Sequence, residues 1–386
     1  MPQNHQTRTA YTPRFLILAL ATFVALCVTA FAGSGLAIAA PTQTEAPECA
    51  TGVDFLGFSD ALNKQNYEGT NVGGLSALTY DQRRGVYYSL VDNGPAATSD
   101  ARFYTLRLPT KGGTLGGPEI LDVTTLRNAG GKPFTASNFD GEGITLTRSG
   151  GLLVSSETGP SIRLFSLDGE LREELPAPRK FRVAPEGQAT PNQTFESLSL
   201  SPNNRSLFTA VEGPLAPDGQ TADVENRIRI LRYEDRGPGG FEPVEEFFYL
   251  TEPGQGVVEI VALSEDELLA LERGFVPGEG NTVRVFRVSL EGAADVSDEP
   301  SLAAPDLEPV KKELLVDIAD CPPGDATTPG TQENPLLDNY ESLALGPRLP
   351  GGRRSLLLQS DDNFSAGQVT RVVALGVENG QLRTRR

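Results

Sequence analysis

Residues 195–212 read F-E-S-L-S-L-S-P-N-N-R-S-L-F-T-A-V-E. A glutamate opens a short apolar run, a polar P-N-N turn follows, and a second apolar run closes on another glutamate. Two strand-length runs around turn residues predict a β-hairpin. The unit recurs as G-G-L-S-A-L-T-Y-D-Q-R-R-G-V-Y-Y-S-L-V-D-N from Gly73, and as G-E-G-I-T-L-T-R-S-G-G-L-L-V-S-S-E from Gly141. It recurs again as V-E-I-V-A-L-S-E-D-E-L-L-A-L-E-R from Val258, and as Y-E-S-L-A-L-G-P-R-L-P-G-G-R-R-S-L-L-L-Q-S-D-D-N from Tyr340.

Aligning the five copies puts Ser76, Glu142, Glu196, Glu259 and Glu341 at the start of the first strand. Asp92, Glu157, Glu212, Glu272 and Asp361 stand at the end of the second. Further strands carrying arginine follow: S-I-R-L-F with Arg163, N-R-I-R-I-L-R-Y with Arg227 and Arg229, T-V-R-V-F-R-V with Arg284 and Q-V-T-R-V-V-A-L with Arg371. Repeated antiparallel units, none able to bury a core alone, predict an all-β fold, a β-propeller. The intervals from Ser76 to Glu341 average about 66 residues, above the ~40 to 50 of a compact blade, which predicts six or seven blades. In a hairpin the start of one strand and the end of its partner share one edge. All ten positions, nine of them acidic, should therefore meet at one mouth of the central channel.

The N-terminus carries Arg8 and Arg14, then an apolar run from Phe15 to about Ala32, then the small-x-small tripeptide Ala37-Ile38-Ala39. This reads as a cleaved export signal over 1–39 rather than a membrane anchor. Leu26 before Cys27 argues against lipoprotein processing. Residues 40–54 are expected to be a linker and 55–380 the propeller domain, secreted or periplasmic and monomeric. His5, the single histidine, lies within the leader, so the exported chain has none. That excludes Ser-His-Asp and Cys-His catalysis and imidazole-ligated zinc or copper. Cys49 and Cys321 outlast the leader, and in an oxidising compartment they are expected to pair. The charge, 33 Lys and Arg against 51 Asp and Glu, argues against nucleic acid or an anionic membrane as partner.

So many like charges at one mouth need compensation. Arg273 and the third-strand arginines are candidates, and so is a hard divalent cation. Without His or a free thiol, an all-oxygen site suits Ca²⁺ or Mg²⁺. Asp361, Asp362 and Asn363, and Asp92 and Asn93, are the densest oxygen-ligand clusters. The competing reading is that each acid caps a blade turn by accepting backbone N–H bonds. There is no G-x-S-x-G elbow, Walker loop or S-x-x-K dyad, so any hydrolysis must rely on carboxylates and a metal-activated water.

The ordered segments G-G-L-S-A-L-T-Y-D, F-D-G-E-G-I-T with L-L-V-S-S-E, F-E-S-L-S-L-S-P-N, V-V-E-I with L-L-A-L-E-R, and N-Y-E-S-L-A-L-G-P-R-L with S-D-D-N-F resemble the "esterase-like activity of phytase" family. The resemblance runs from about Phe55 to Val377 and implies an exported propeller with phosphoesterase chemistry at its Glu and Asp residues. Ser76 departs from the acidic pattern.

The leading expectation is a hydrolase acting on a small phosphate ester. Glu142, Glu157, Glu272 and Arg273 would serve the chemical step, and Glu196, Glu212, Glu259, Glu341, Asp361, Asp362 and Asp92 would hold the cation. The alternatives are a non-catalytic propeller binding module and a calcium-dependent lactonase-like hydrolase.

Overall fold

The computed structural model describes residues 47–93, 99–110, 113–237 and 240–382. The expected leader, 1–39, lies outside the described residues. Among the described residues, no helix is long and apolar enough to cross a membrane.

Four sheets of four strands and one of five, each antiparallel, form a β-propeller of five blades. The first blade runs through Leu75–Asp81, Val86–Val91, Arg102–Arg107 and Glu119–Thr125. The second uses Gly141–Leu146, Leu152–Ser156, Ser161–Phe165 and Leu171–Leu175. The third uses Ser199–Leu200, Ser206–Ala210, Arg227–Asp235 and Phe241–Leu250. The fourth uses Gly256–Ala262, Glu267–Val276, Gly280–Ser289 and Lys311–Asp317. The first strands of successive blades touch one another around the ring, the fifth returning to the first.

The fifth blade closes that ring with both ends of the propeller. Tyr340–Leu349, Arg353–Ser360 and Val372–Glu378 come from the C-terminal side, and Val53–Ser59 pairs with the last of them. Glu48–Ala50 adds an outer strand. The stretch expected as a linker, 40–54, is therefore sheet from Glu48 onward. Cys49 in that outer strand is bonded to Cys321, just past the fourth blade, so the disulfide ties the closing blade to its neighbour.

The expectation of six or seven blades is corrected to five, one for each sequence unit. The excess spacing lies in long connections, such as 176–198, 290–310 and 318–339, and not in an additional blade without the motif.

Burial falls from the axis outward. Second strands such as Val86–Val91 and Leu152–Ser156 are buried along their whole length, while outer strands such as Leu171–Leu175 expose a run of charged residues between two leucines. Facing sheets share apolar layers: Leu207, Ile230 and Tyr249 of the third blade pack in one cluster with Ile260 and Leu268 of the fourth. Each such fully buried side chain contributes about 1.5 to 3 kcal/mol. Near the axis the sheets approach closely. A Cβ on Gly143 would lie 2.7 Å from the backbone nitrogen of Leu198 in the next blade, so this seam requires glycine.

Candidate functional site

Every first strand carries one extra residue near its start, opposite the end of its partner. In the first blade Leu75 faces Val91 and Ala77 faces Leu90, which leaves Ser76 as the extra residue. In the fifth, Tyr340 faces Ser360 and Ser342 faces Gln359, which leaves Glu341. In the second, Gly141 faces Ser156 and Ile144 faces Val154, and in the third Phe195 faces Val211 before Ser199 faces Phe208. A bulge redirects side chains and is common beside functional sites. Here it turns Glu142, Glu196 and Glu341 toward the channel mouth.

The fourth blade departs from the alignment by one residue. Val257 faces Glu272 and Glu259 faces Leu271, so the extra residue is Val258. The position after the facing pair, held elsewhere by Asp92, Glu157, Glu212 and Asp361, belongs here to Arg273. A one-residue slip sends side chains to the opposite face. Glu259 and Glu272 are therefore not at the mouth, which corrects the expected ring. Glu259 is buried between inner strands, its Oε1 accepting the Ile260 N–H at 2.9 Å and the Leu198 N–H at 3.3 Å. Glu272 accepts from Lys312 at 2.6 Å, the Tyr249 hydroxyl at 2.5 Å and the Glu252 N–H at 2.8 Å. At these two residues the capping role holds.

Asp362 is also diverted. It accepts from Lys64 and from the Gly74 and Phe364 N–H groups, both at 3.0 Å. The third-strand arginines compensate charge outside the mouth: Arg163 bonds Glu174, Arg229 bonds Asp218 and Glu246, Arg284 bonds Asp317, and Arg371 bonds Asp60. Asn93, beside Asp92, accepts from Arg102 and Ser99.

A cavity of about 250 Å³ remains at the mouth, lined by Asp92, Asp140, Glu142, Glu157, Glu196, Glu212 and Glu341, with Arg273 and the amides of Asn192, Asn339 and Asn363. Asp92, Asp140 and Glu142 bring carboxylate oxygens within 4.8 Å of one another, a group able to hold a metal ion. Asp140 was not singled out from the sequence, although it stands two residues before Glu142 in F-D-G-E. Asn192 and Asn339 sit on connections between blades, outside the repeated hairpins, where the repeat gave no signal. Asp361 does not line the cavity, but its charge is felt by Arg273.

Arg273 is the one cation on the cavity wall among the described residues. Its Nη2 lies 3.1 Å from Glu341 and 3.5 Å from Glu212. Burial opposes its charge, but Glu341 and Glu212 outweigh this and hold its pKa above the ordinary arginine value. Glu341 also accepts the Asn339 amide at 2.9 Å, and Glu157 accepts the Thr194 N–H.

These bonds do not offset burial of so many carboxylates. Burial, with Asp92 and Glu196 nearby, pushes Glu142 well above the usual range. Burial and Glu212 do the same to Glu196. Burial is also the largest cause at Asp361, followed by Glu341, and it raises Glu212 against the pull of Arg273. Glu157 and Glu341 are pushed up to about 7, in each case chiefly by burial. Buried like charges shed their repulsion by taking up protons or by binding a cation. The donors are all hard oxygens, carboxylate and amide, which suit Ca²⁺ or Mg²⁺.

No functionally curated protein matches the chain. Among solved structures it is similar to a tail fibre of Staphylococcus aureus phage P68, at 10% identity and TM-score 0.40 over 85% of this chain and 54% of the fibre. The chain thus spans about half the length of that fibre. It is also similar to a periplasmic gluconolactonase of Pseudomonas aeruginosa, at 15% identity and TM-score 0.34 over 80% of this chain and 87% of the enzyme. A third similarity is to the PQQ-bound aldose sugar dehydrogenase of Streptomyces coelicolor, at 16% identity and TM-score 0.33 over 80% and 84%. The family model described as esterase-like activity of phytase matches residues 70–364, more than half of the chain, and the protein therefore belongs to this Phytase-like family.

Proposed function

We propose that the protein is an exported hydrolase of small phosphate esters whose acidic channel mouth holds a divalent cation, Ca²⁺ or Mg²⁺. The observation that carries this reading is the convergence of Asp92, Asp140 and Glu142 within 4.8 Å, in a cavity where four further carboxylates face one guanidinium. Membership of the Phytase-like family supports the choice of phosphate esters.

Asp92, Asp140 and Glu142 would be the primary ligands, and Glu196 with the amide oxygens of Asn192 and Asn363 would complete an oxygen shell. When bound, the cation supplies charge neutralisation, polarises a phosphoryl oxygen and acidifies a water. Arg273 presents its guanidinium beside the cluster and suits an equatorial phosphoryl oxygen. Glu157 and Glu341, held near neutrality by burial, can take or give a proton at physiological pH. Glu272, bonded to Lys312 and Tyr249, has no place in this scheme, and Glu259 stays with its two N–H donors.

The test is elemental analysis of purified protein combined with an aryl phosphate assay before and after chelation. A stoichiometric divalent ion, hydrolysis lost on chelation and restored by Ca²⁺ or Mg²⁺, and its loss in Glu142→Gln are the expected results. Bound metal without turnover of any ester would favour the binding-module alternative.

A further inference from the structure

The inner strands run from the acidic mouth to a second mouth of opposite character. There the channel widens into a cavity of about 600 Å³ whose wall takes residues from the inner strands of all five blades, including Tyr80, Thr145, Leu200, Val261 and Leu345. The hairpin turns around this mouth carry Arg83 and Arg84 in the first blade, Arg148 in the second, Arg205 in the third, and Arg348, Arg353 and Arg354 in the fifth. Only the fourth turn, S-E-D, is acidic. A chain with net charge −18 thus gathers arginine at one end of its channel.

Arg348 and Arg354 both line the cavity and stand directly opposite each other across the hairpin. Facing cross-strand residues share a face of the sheet, their Cβ atoms about 4.5 to 5.5 Å apart, and like charges there are destabilising. Among the described residues no carboxylate on that face pairs with either of them. Alternation sends Arg353 to the other face, where it pairs with Asp54 and Glu378. Among the described residues Arg348 and Arg354 form no ion pair. Arg354 donates to the Gly346 carbonyl, at 3.2 Å. Burial and the charge of Arg348 both hold the Arg354 guanidinium below its ordinary value. Glu259 is the one carboxylate on the cavity wall among the described residues, and it is already bonded to two backbone N–H groups.

We infer that this second mouth is an anion site, in which Arg348 and Arg354 together bind a dianionic phosphoryl group at the entrance of the 600 Å³ cavity. Two guanidiniums on one face offer paired donors matched to the oxygens of a tetrahedral dianion. The cavity behind them has room for the body of a small phosphorylated molecule, with Tyr80 and the inner-strand leucines as its apolar wall. The site needs no cation and does not rest on the reading of the acidic mouth.

The test titrates the mature chain with inorganic phosphate by calorimetry, with and without excess chelator and at two ionic strengths. The expected result is saturable binding that Arg348→Gln with Arg354→Gln weakens by at least about tenfold, while Arg284→Gln, at an arginine that lines neither cavity and pairs with Asp317, leaves it unchanged. A glucose phosphate should bind more tightly than inorganic phosphate if the cavity takes the organic body, and equally if the free ion is the ligand. Arg348→Glu supplies the control for folding: it should raise the melting temperature by relieving the like-charge pair, yet abolish binding. Phosphate binding that vanishes in chelator, that survives the double substitution, or that follows ionic strength alone would overturn the site.

Discussion

The second and fourth blades carry nearly the same hairpin motif and use its two acids in opposite ways. Glu142 and Glu157 face a shared cavity, and burial lifts both above the usual carboxylate range. Glu259 and Glu272 are just as buried, and burial raises Glu259 as well, but each is bonded in place away from that cavity, one to two backbone N–H groups and the other to Lys312, Tyr249 and Glu252. The difference is one residue of register at the bulge. An acidic pattern in a propeller blade therefore gains its chemistry from the side chain's direction, and the pairing, not the motif, fixes that direction.

The largest contrast should appear in metal affinity and stability together. Asp92→Asn is expected to weaken divalent binding by about a hundredfold or more, as loss of a charged ligand does, while leaving the metal-free melting temperature unchanged or higher. Glu272→Gln should do the reverse. It strands part of the Lys312 charge and costs about 2 to 4 kcal/mol, with calcium affinity intact by calorimetry. If Glu272→Gln abolished metal binding at unchanged stability, the distinction between the blades would fail.

The disulfide sharpens the comparison from the other side, because it braces the fourth blade against the closing one. Replacing Cys49 and Cys321 by serine together should lower stability by about 2 to 5 kcal/mol, read by denaturant unfolding. The acidic mouth should keep its metal, since neither cysteine touches it.

A further effect concerns pH. Glu157 and Glu341 titrate near 7 in the folded chain, against about 4.3 when unfolded. Between those values the folded state binds more protons, so these groups lower stability as pH rises through the window, by at most about 1.4 kcal/mol per pH unit each. Below pH 4 the penalty is absent. Metal-free protein should therefore melt at lower temperature at pH 7.5 than Glu157→Gln with Glu341→Gln does, and saturating calcium should close the gap. An identical pH profile for the two proteins would contradict the assignment.

Much of this was legible in the sequence, and particular residues show where legibility stopped. The recurrence of hairpins around turn residues identified a propeller and predicted that acids gather at one mouth. Glu142, Glu157, Glu196, Glu212, Glu341, Asp92 and Arg273 do line it. The blade count is not legible because long connections such as 290–310 and 318–339 lengthen the repeat as a further blade would. Glu259 and Glu272 were misplaced because V-V-E-I-V-A-L aligns with Y-E-S-L-A-L equally well in two registers, and only strand pairing chooses between them. Asn192 was out of reach, since it enters the cavity from a connection that obeys no repeat. The third-strand arginines were recognised as compensating charges, but their partners, such as Asp218 and Asp60, come from loops that periodicity does not describe.

The central claim is that register separates the acids that bind metal from those that cap strands. Calcium stoichiometry, measured by elemental analysis after exhaustive dialysis, tests it most directly in Glu142→Gln and Glu259→Gln made side by side. The account predicts that Glu142→Gln loses its bound calcium and Glu259→Gln retains it. Equal loss in both, or retention in Glu142→Gln alone, would contradict it.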